Sequence, residues 1–435
     1  MNPLNSSPTF CSLLRILSLS TILTLPTLSS RALDANYDES KIPAYELPPL
    51  LISESGEKIK TVEAWEKTRR PEILDLFRSQ MYGKNPGRLA YMKFVTTEST
   101  TSALNGKSLR KQISVRFDGT EEGPQMEILL YLPASAKGPV PVFVGLNFGG
   151  NHTIHSDPAI HISKSWMRNR KDSGVIDHKA TEAARGKSAG RWAVNEINQR
   201  GYGLATIYYG DIDPDFEDGF KNGVHAMFYR NEQKGPKSDE WGSIATWAWG
   251  LSRAMDYFET DASIDHRRVA VMGHSRLGKT SLWAGAEDSR FALVISNDSG
   301  CGGAALNRRA IGETVHRINT SFPHWFCDNF IQYNNKENSI PFDQHQLIAL
   351  MAPRPVYVAS AEQDRWADPK GEFLSAKHAS PVYRLYGKKG MGQEEMPQVN
   401  QPIHNQIGYH IRSGKHNVTD FDWTQYLNFA DQHLR

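Results

Sequence analysis

Cysteine is nearly absent: three occur in 435 residues, and Cys11 lies in an N-terminal segment expected to be removed. The remaining pair, Cys301 and Cys327, allows at most one disulfide, and two buried free thiols fit the count as well. Excess charge of either sign is also missing. Lys and Arg total 50 against 48 Asp and Glu, and a net charge of +2 gives no global field for nucleic acid. Beyond the first thirty residues no apolar run is long enough to span a membrane. No internal repeat and no sizeable low-complexity tract is present.

The one strongly apolar run, residues 13–28, contains a single charge, Arg15, and is followed by the small residues Ser29 and Ser30. It falls short of the roughly 20 residues a spanning helix needs, and Pro26 interrupts it. Residues 1–32 therefore read as a secretory signal peptide, which makes the expected location secreted or periplasmic with no membrane attachment after cleavage. Residues 33–435 suffice for one large catalytic domain. Nothing in the sequence calls for more than a monomer.

Residues 35–55 are polar and turn-rich, as an extended surface arm would be. Residues 62–82 carry Trp65, Ile73, Leu74, Leu76, Phe77 and Met81 at roughly helical spacing. Alternation at 113–117 and 126–132 predicts antiparallel strands. After Pro139 the pattern becomes short continuous apolar runs, at 140–146, 204–208, 269–272, 292–295, 356–359 and 407–411. Runs of this kind are what strands buried on both faces look like. Residues 243–258 predict a helix between two of them. The expected fold is α/β: a three-layer α/β-hydrolase sandwich around a mixed, mainly parallel sheet. Two segments look inserted, a long basic one at 151–196 and a Gly-, Lys- and Pro-rich surface loop at 380–402. The aspartates of 210–218 (GDIDPDFED) read as a solvated acidic turn, since their spacing makes no EF-hand loop.

The sharpest local signal is RVAVMGHSRLGKTSL, residues 268–282: a β-branched strand, a turn with Gly273 and Gly278, then helix formers. Such an elbow exposes the Ser275 hydroxyl above the carboxyl end of the sheet. The usual G-x-S-x-G spacing is not met, because Leu277 stands where the second glycine would be. A serine needs a base to accept its proton, and the base needs a carboxylate to orient it. His416, after the last strand, is the best-placed base, with His404 and His410 as competitors. Asp364 and Asp298, each following a strand, both fit as the acid, Asp364 somewhat ahead.

These residues resemble the glucuronoyl esterases. The family's G-x-S-R-x-G-K signature appears as Gly273, Ser275, Arg276, Gly278 and Lys279, which accounts for the departure from G-x-S-x-G. Further similarity lies in SNDSGCGGAAL (296–306), GETV (312–315), FPHWFC (322–327), DRWADPKGEF (364–373), GLNFGGNH (145–152) and the His416 loop. The resemblance implies hydrolysis of esters joining (4-O-methyl-)glucuronic acid on xylan to lignin alcohols, with no metal or cofactor. It also implies Ser275 as nucleophile, His416 as base and Arg276 at the oxyanion, with Lys279, Glu313 and Trp366 contacting the uronate. Fungal members carry Glu at the position of Asp298, whereas other bacterial members use the acid matching Asp364. Two rival expectations remain: an acetyl- or feruloyl-xylan esterase, and a silent carbohydrate-binding relative.

Overall fold

Each continuous apolar run from 140 to 411 forms a strand, and their side chains are buried because helices cover both faces of one sheet. The computed structural model describes residues 35–435, which form one compact unit; the expected signal peptide lies outside them. The strands are β1 (Lys93–Ser102), β2 (Ser108–Arg116), β3 (Gln125–Pro133), β4 (Val140–Asn147), β5 (Val175–Ile176), β6 (Lys179–Ala180), β7 (Gly203–Tyr208), β8 (Ile264–His274), β9 (Leu293–Asn297), β10 (Val356–Ala361), β11 (Ile403–His404) and β12 (Ile407–Arg412). Except for the β5–β6 hairpin they join one sheet in the order β1-β2-β3-β7-β4-β8-β9-β10-β12-β11. From β7 to β12 neighbouring strands are parallel; β1, β2 and β3 extend one edge antiparallel, and β11 closes the other.

Helices Ser243–Phe258, Arg276–Glu287, Gln344–Ala349 and Pro369–Leu385 contribute to the larger apolar core on one face. Helices Val194–Gln199 and Asp420–His433 contribute to a second core on the other. The three layers follow from that division. Helix Ser243–Phe258 is buried along its whole length, which explains its apolar character on nearly every side. Among the described residues no helix is long and apolar enough to cross a membrane. Cys301 and Cys327 stand as free, buried thiols.

Several elements differ from expectation. Strand β1, KFVTTESTTS, carries too few apolar residues to announce itself, and it pairs on one side only. Helix Pro369–Leu385 runs on through Pro381, so the surface loop begins at Tyr386 rather than Ser380. Pro381 removes one helical hydrogen bond, but Val382 and Tyr383 beyond it are fully buried and hold the last turn. The basic segment 151–196 is a folded excursion whose cations are largely committed. Arg185 donates to the carbonyls of Asp157 (2.9 Å) and Ile160 (2.8 Å), Lys179 to that of Lys164 (2.9 Å), and Arg168 to that of Asp215 (2.7 Å). Arg191 donates to the side chain of Asn417 at 2.8 Å, tying the excursion to the His416 loop.

Trp423, on the C-terminal helix, fills the second core with its ring edge against Phe143 (5.7 Å) and donates Nε1–H to the Arg191 carbonyl (2.8 Å). Trp423→Ala removes both contacts and leaves a cavity. We expect a loss of about 3–5 kcal/mol in stability, read from the urea midpoint with an unchanged slope.

Candidate active site

Strand β8 ends at His274, helix Arg276–Glu287 begins two residues later, and Ser275 alone makes the turn between them at φ 60° and ψ −130°. That left-handed backbone stores about 1–3 kcal/mol of strain in a non-glycine residue. Two glycines make it feasible. A Cβ on Gly273 would lie 1.8 Å from the Leu277 carbonyl oxygen, and one on Gly278 would lie 3.0 Å from Cβ of Ser299. The second glycine is therefore needed at 278, where the helix passes the chain after β9, and position 277 is free to bury a leucine. The positive end of the helix faces the Ser275 turn.

His416 sits on the loop after β12, its ring centroid 4.3 Å from that of His274, the residue before the serine. Its Nδ1 lies 2.6 Å from Oδ2 of Asp364, a buried carboxylate on the turn after β10. The competing histidines lie elsewhere. His410 is fully buried between Tyr357 (3.0 Å) and Asp422 (2.9 Å), and His404 lies on the edge strand β11.

Asp298 lies close to this pair without contacting the imidazole. Its Oδ2 accepts from the Asn417 amide (3.3 Å) and the Arg412 guanidinium (3.5 Å), and its Oδ1 has no hydrogen-bond partner among the described residues. Burial, with the Glu372 and Asp364 carboxylates nearby, pushes its carboxyl well above the usual range. Through the Asn417 amide Asp298 braces the loop that carries His416, while Asp364 alone makes the hydrogen bond to the imidazole. Together the ligand atoms of Asp298, Asp364 and His416 lie within 4.8 Å of one another, close enough to hold a cation. At 2.6 Å, however, the His416–Asp364 contact is a direct hydrogen bond that an inserted ion would break.

Arg276 is held by a partner the sequence did not disclose. Its guanidinium pairs with Asp215 and lies 4.7 Å over the Trp325 ring and 5.6 Å over each of Phe148 and Phe322. Asp215 also accepts from His324 Nε2 (3.0 Å), Trp325 Nε1 (2.8 Å) and the Tyr209 hydroxyl (3.0 Å). Burial opposes its ionisation, but His324, Arg276 and Trp325 outweigh that and hold it well below the usual carboxylate range. The solvated acidic turn expected at 210–218 is therefore corrected. Asp213 and Asp215 are only 2% exposed, because the turn folds inward beneath Trp325 and spends its carboxylates on internal donors. Burial raises Asp211 in the same turn to about 7. The Trp and His of FPHWFC offered the one sequence signal for such a partner, since buried rings with N–H groups need acceptors.

Lys279, one helical turn beyond Ser275, points inward. Its ammonium donates to the Ser299 carbonyl (2.6 Å) and to Glu313 Oε2 (3.1 Å), 5.9 Å from the Trp325 ring centroid. Trp366 is 41% exposed on the turn after Asp364, and its carbonyl accepts from the Glu313 amide at 3.0 Å. A half-buried serine on a strained turn, a carboxylate-oriented imidazole, a fixed guanidinium and a buried lysine–glutamate pair can together perform acyl transfer on a polar, ring-shaped acid.

Residues 203–387 match the family described as fungal glucuronyl esterase. The chain is 52% identical over 425 residues to the carbohydrate esterase MZ0003 of an unknown prokaryotic organism, across 98% of each chain. Among solved structures, a promiscuous CE15 esterase from a marine bacterial metagenome is 54% identical with a TM-score of 0.86, covering 92% of this chain and 100% of that one. The glucuronoyl esterase from Solibacter usitatus is 49% identical with a TM-score of 0.87, over 91% of this chain and 100% of its own.

The geometry separates the two acids. Asp364→Asn is expected to lower kcat by roughly 10³- to 10⁴-fold, the scale for losing the carboxylate that orients a catalytic imidazole. Asp298→Asn, which changes a side chain bonded to Asn417 and Arg412 and not to the imidazole, is expected to cost under about tenfold. Steady-state kinetics on one ester substrate reads both, and the reverse order would reassign the acid.

Proposed function

Because the chain belongs to the glucuronoyl esterase family, we propose that it hydrolyses esters of (4-O-methyl-)glucuronic acid, as in lignin–xylan cross-links. The observation that carries this reading is the buried Lys279–Glu313 pair beside the elbow, which provides charged donor and acceptor groups for the hydroxyls of a uronate ring. A site for a small acyl group such as acetate has no use for such a pair. Trp366, exposed next to it, offers a flat face to a pyranose.

In the proposed cycle Ser275 Oγ attacks C6 of the uronate as His416 takes its proton. The negative charge that develops on the carbonyl oxygen is met by Arg276, whose guanidinium is held in place before the reaction begins. His416 then returns the proton to the departing alcohol. Water, deprotonated by His416, hydrolyses the glucuronoyl–Ser275 ester and regenerates the serine. Asp364, hydrogen-bonded to His416 Nδ1, orients the ring and stabilises the imidazolium as it forms. The apolar leader at 13–28 supports a secreted or periplasmic enzyme, where plant polymer esters would be met.

A second reading, broader action on acetyl or feruloyl esters, has one observation behind it: a relative 54% identical is described as promiscuous. Initial rates on benzyl glucuronate and on an aryl acetate separate the two. We expect the wild type to prefer the glucuronate and Ser275→Ala to lose both activities. Lys279→Met is expected to lose about 10- to 100-fold on the glucuronate alone, the scale of one charge-assisted hydrogen bond. A wild-type preference for the acetate, or an equal loss on both esters in Lys279→Met, would contradict the assignment.

A further inference from the structure

The extended arm at the start of the described chain lies against the outside of the loops that carry Glu313 and Trp366. The Asn36 carbonyl accepts from the Gly312 amide at 2.9 Å, one residue before Glu313. The Tyr37 carbonyl accepts from the Arg365 guanidinium, which also lies 5.1 Å over the Tyr37 ring, one residue before Trp366. Glu39 pairs with Lys370 (3.1 Å) and with Arg309, and Arg309 grips Asp368 through Nε at 2.7 Å. Asp368 in turn caps helix Pro369–Leu385 through the Gly371 amide at 3.0 Å. On the inner side the Glu313 amide donates to the Trp366 carbonyl. Gly312, at φ 61°, is squeezed between the arm and that turn: a Cβ there would stand 2.4 Å from the Trp366 carbonyl oxygen. Three arm residues, Asn36, Tyr37 and Glu39, thus reach these loops and the helix start beside them, yet Tyr37 and Glu39 are themselves exposed. An arm that is solvated on its outer side and bonded on its inner side contributes little to the core. Its contacts converge on the two loops.

We propose that Tyr37 and Glu39 are positioning residues for the uronate site, acting through Arg365 and Arg309 to set the turn of Trp366, and through the Trp366 carbonyl the Glu313 amide bonded to it. The inference rests on the uronate reading for its kinetic consequence, but its structural part stands independently of it. The arm touches neither Ser275 nor His416. It therefore acts on where the sugar ring sits, and the proton transfers at Ser275 proceed without it.

The test is the full-length Tyr37→Ala/Glu39→Ala double variant, with Glu39→Gln beside it, studied by hydrogen exchange and by kinetics. Faster exchange is expected at the Gly312 and Glu313 amides and across 365–368, with Tm held within about 2 °C. The KM for benzyl glucuronate should rise about tenfold with kcat little changed, since displacing binding groups by a fraction of an ångström weakens substrate placement. Hydrolysis of an aryl acetate should be unchanged, and Glu39→Gln should fall between the double variant and wild type. Unaltered exchange at 312–313 and 365–368 would overturn the proposal, as would an equal loss on both esters accompanied by a falling Tm. If wild type fails to prefer the glucuronate, the functional reading falls, while the exchange data still decide whether the arm sets the loops.

Discussion

A side chain at position 273 would collide with the carbonyl of Leu277, and the rest of the site depends on that constraint being met by glycine. With no Cβ there, the strand can turn into the helix through one left-handed residue, and Ser275 is presented at the carboxyl end of the sheet. The same turn sends Arg276 and Lys279 off the first helical turn toward Trp325. The strained residue, the guanidinium and the ammonium are thus three consequences of one backbone geometry. Strain of this kind persists only where the surroundings over-determine it. Here β9 helps: the Ser275 amide donates to the Asn297 carbonyl at 2.9 Å.

Charge is distributed around this elbow in a consistent way. Asp364 is the carboxylate hydrogen-bonded to His416, burial and acidic neighbours push the Asp298 carboxyl well above the usual range, and four donors hold Asp215 well below it. Neutralising Arg276 with a buried aspartate weakens its net pull on an oxyanion. What it provides is fixity, because a guanidinium pinned between a carboxylate and three aromatic rings needs little reorganisation when charge develops. Lys279 on the next helical turn and Glu313 on its own loop satisfy each other until hydroxyl groups compete for them.

The central parallel strands were legible from residues 140–146 to 407–411 because burial on both faces demands unbroken apolar runs, and helix Ser243–Phe258 for the same reason. The elbow announced itself through its glycines. Strand β1 did not, since an edge strand built of threonine and serine makes backbone hydrogen bonds without an apolar pattern. Nor did Asp215. A run of aspartates after a strand is read as solvated by default, and only three-dimensional closure brings His324, Trp325 and Arg276 onto it. Between Asp298 and Asp364 the sequence leaned to Asp364 without deciding, because both follow strands and their side chains have the same chemistry. What differs is a hydrogen bond from a loop about fifty residues downstream. Residues 35–55 were recognisable as an arm, but which loops it bonds was not.

Ser275, activated by His416, is the group proposed to become acylated. Incubation with an aryl alkylphosphonofluoridate, followed by peptide mass mapping, tests it most directly. The expected result is one stoichiometric adduct on Ser275, formed at a rate that falls sharply in His416→Ala. A protein that remains unlabelled, or one labelled at another residue, would contradict the account.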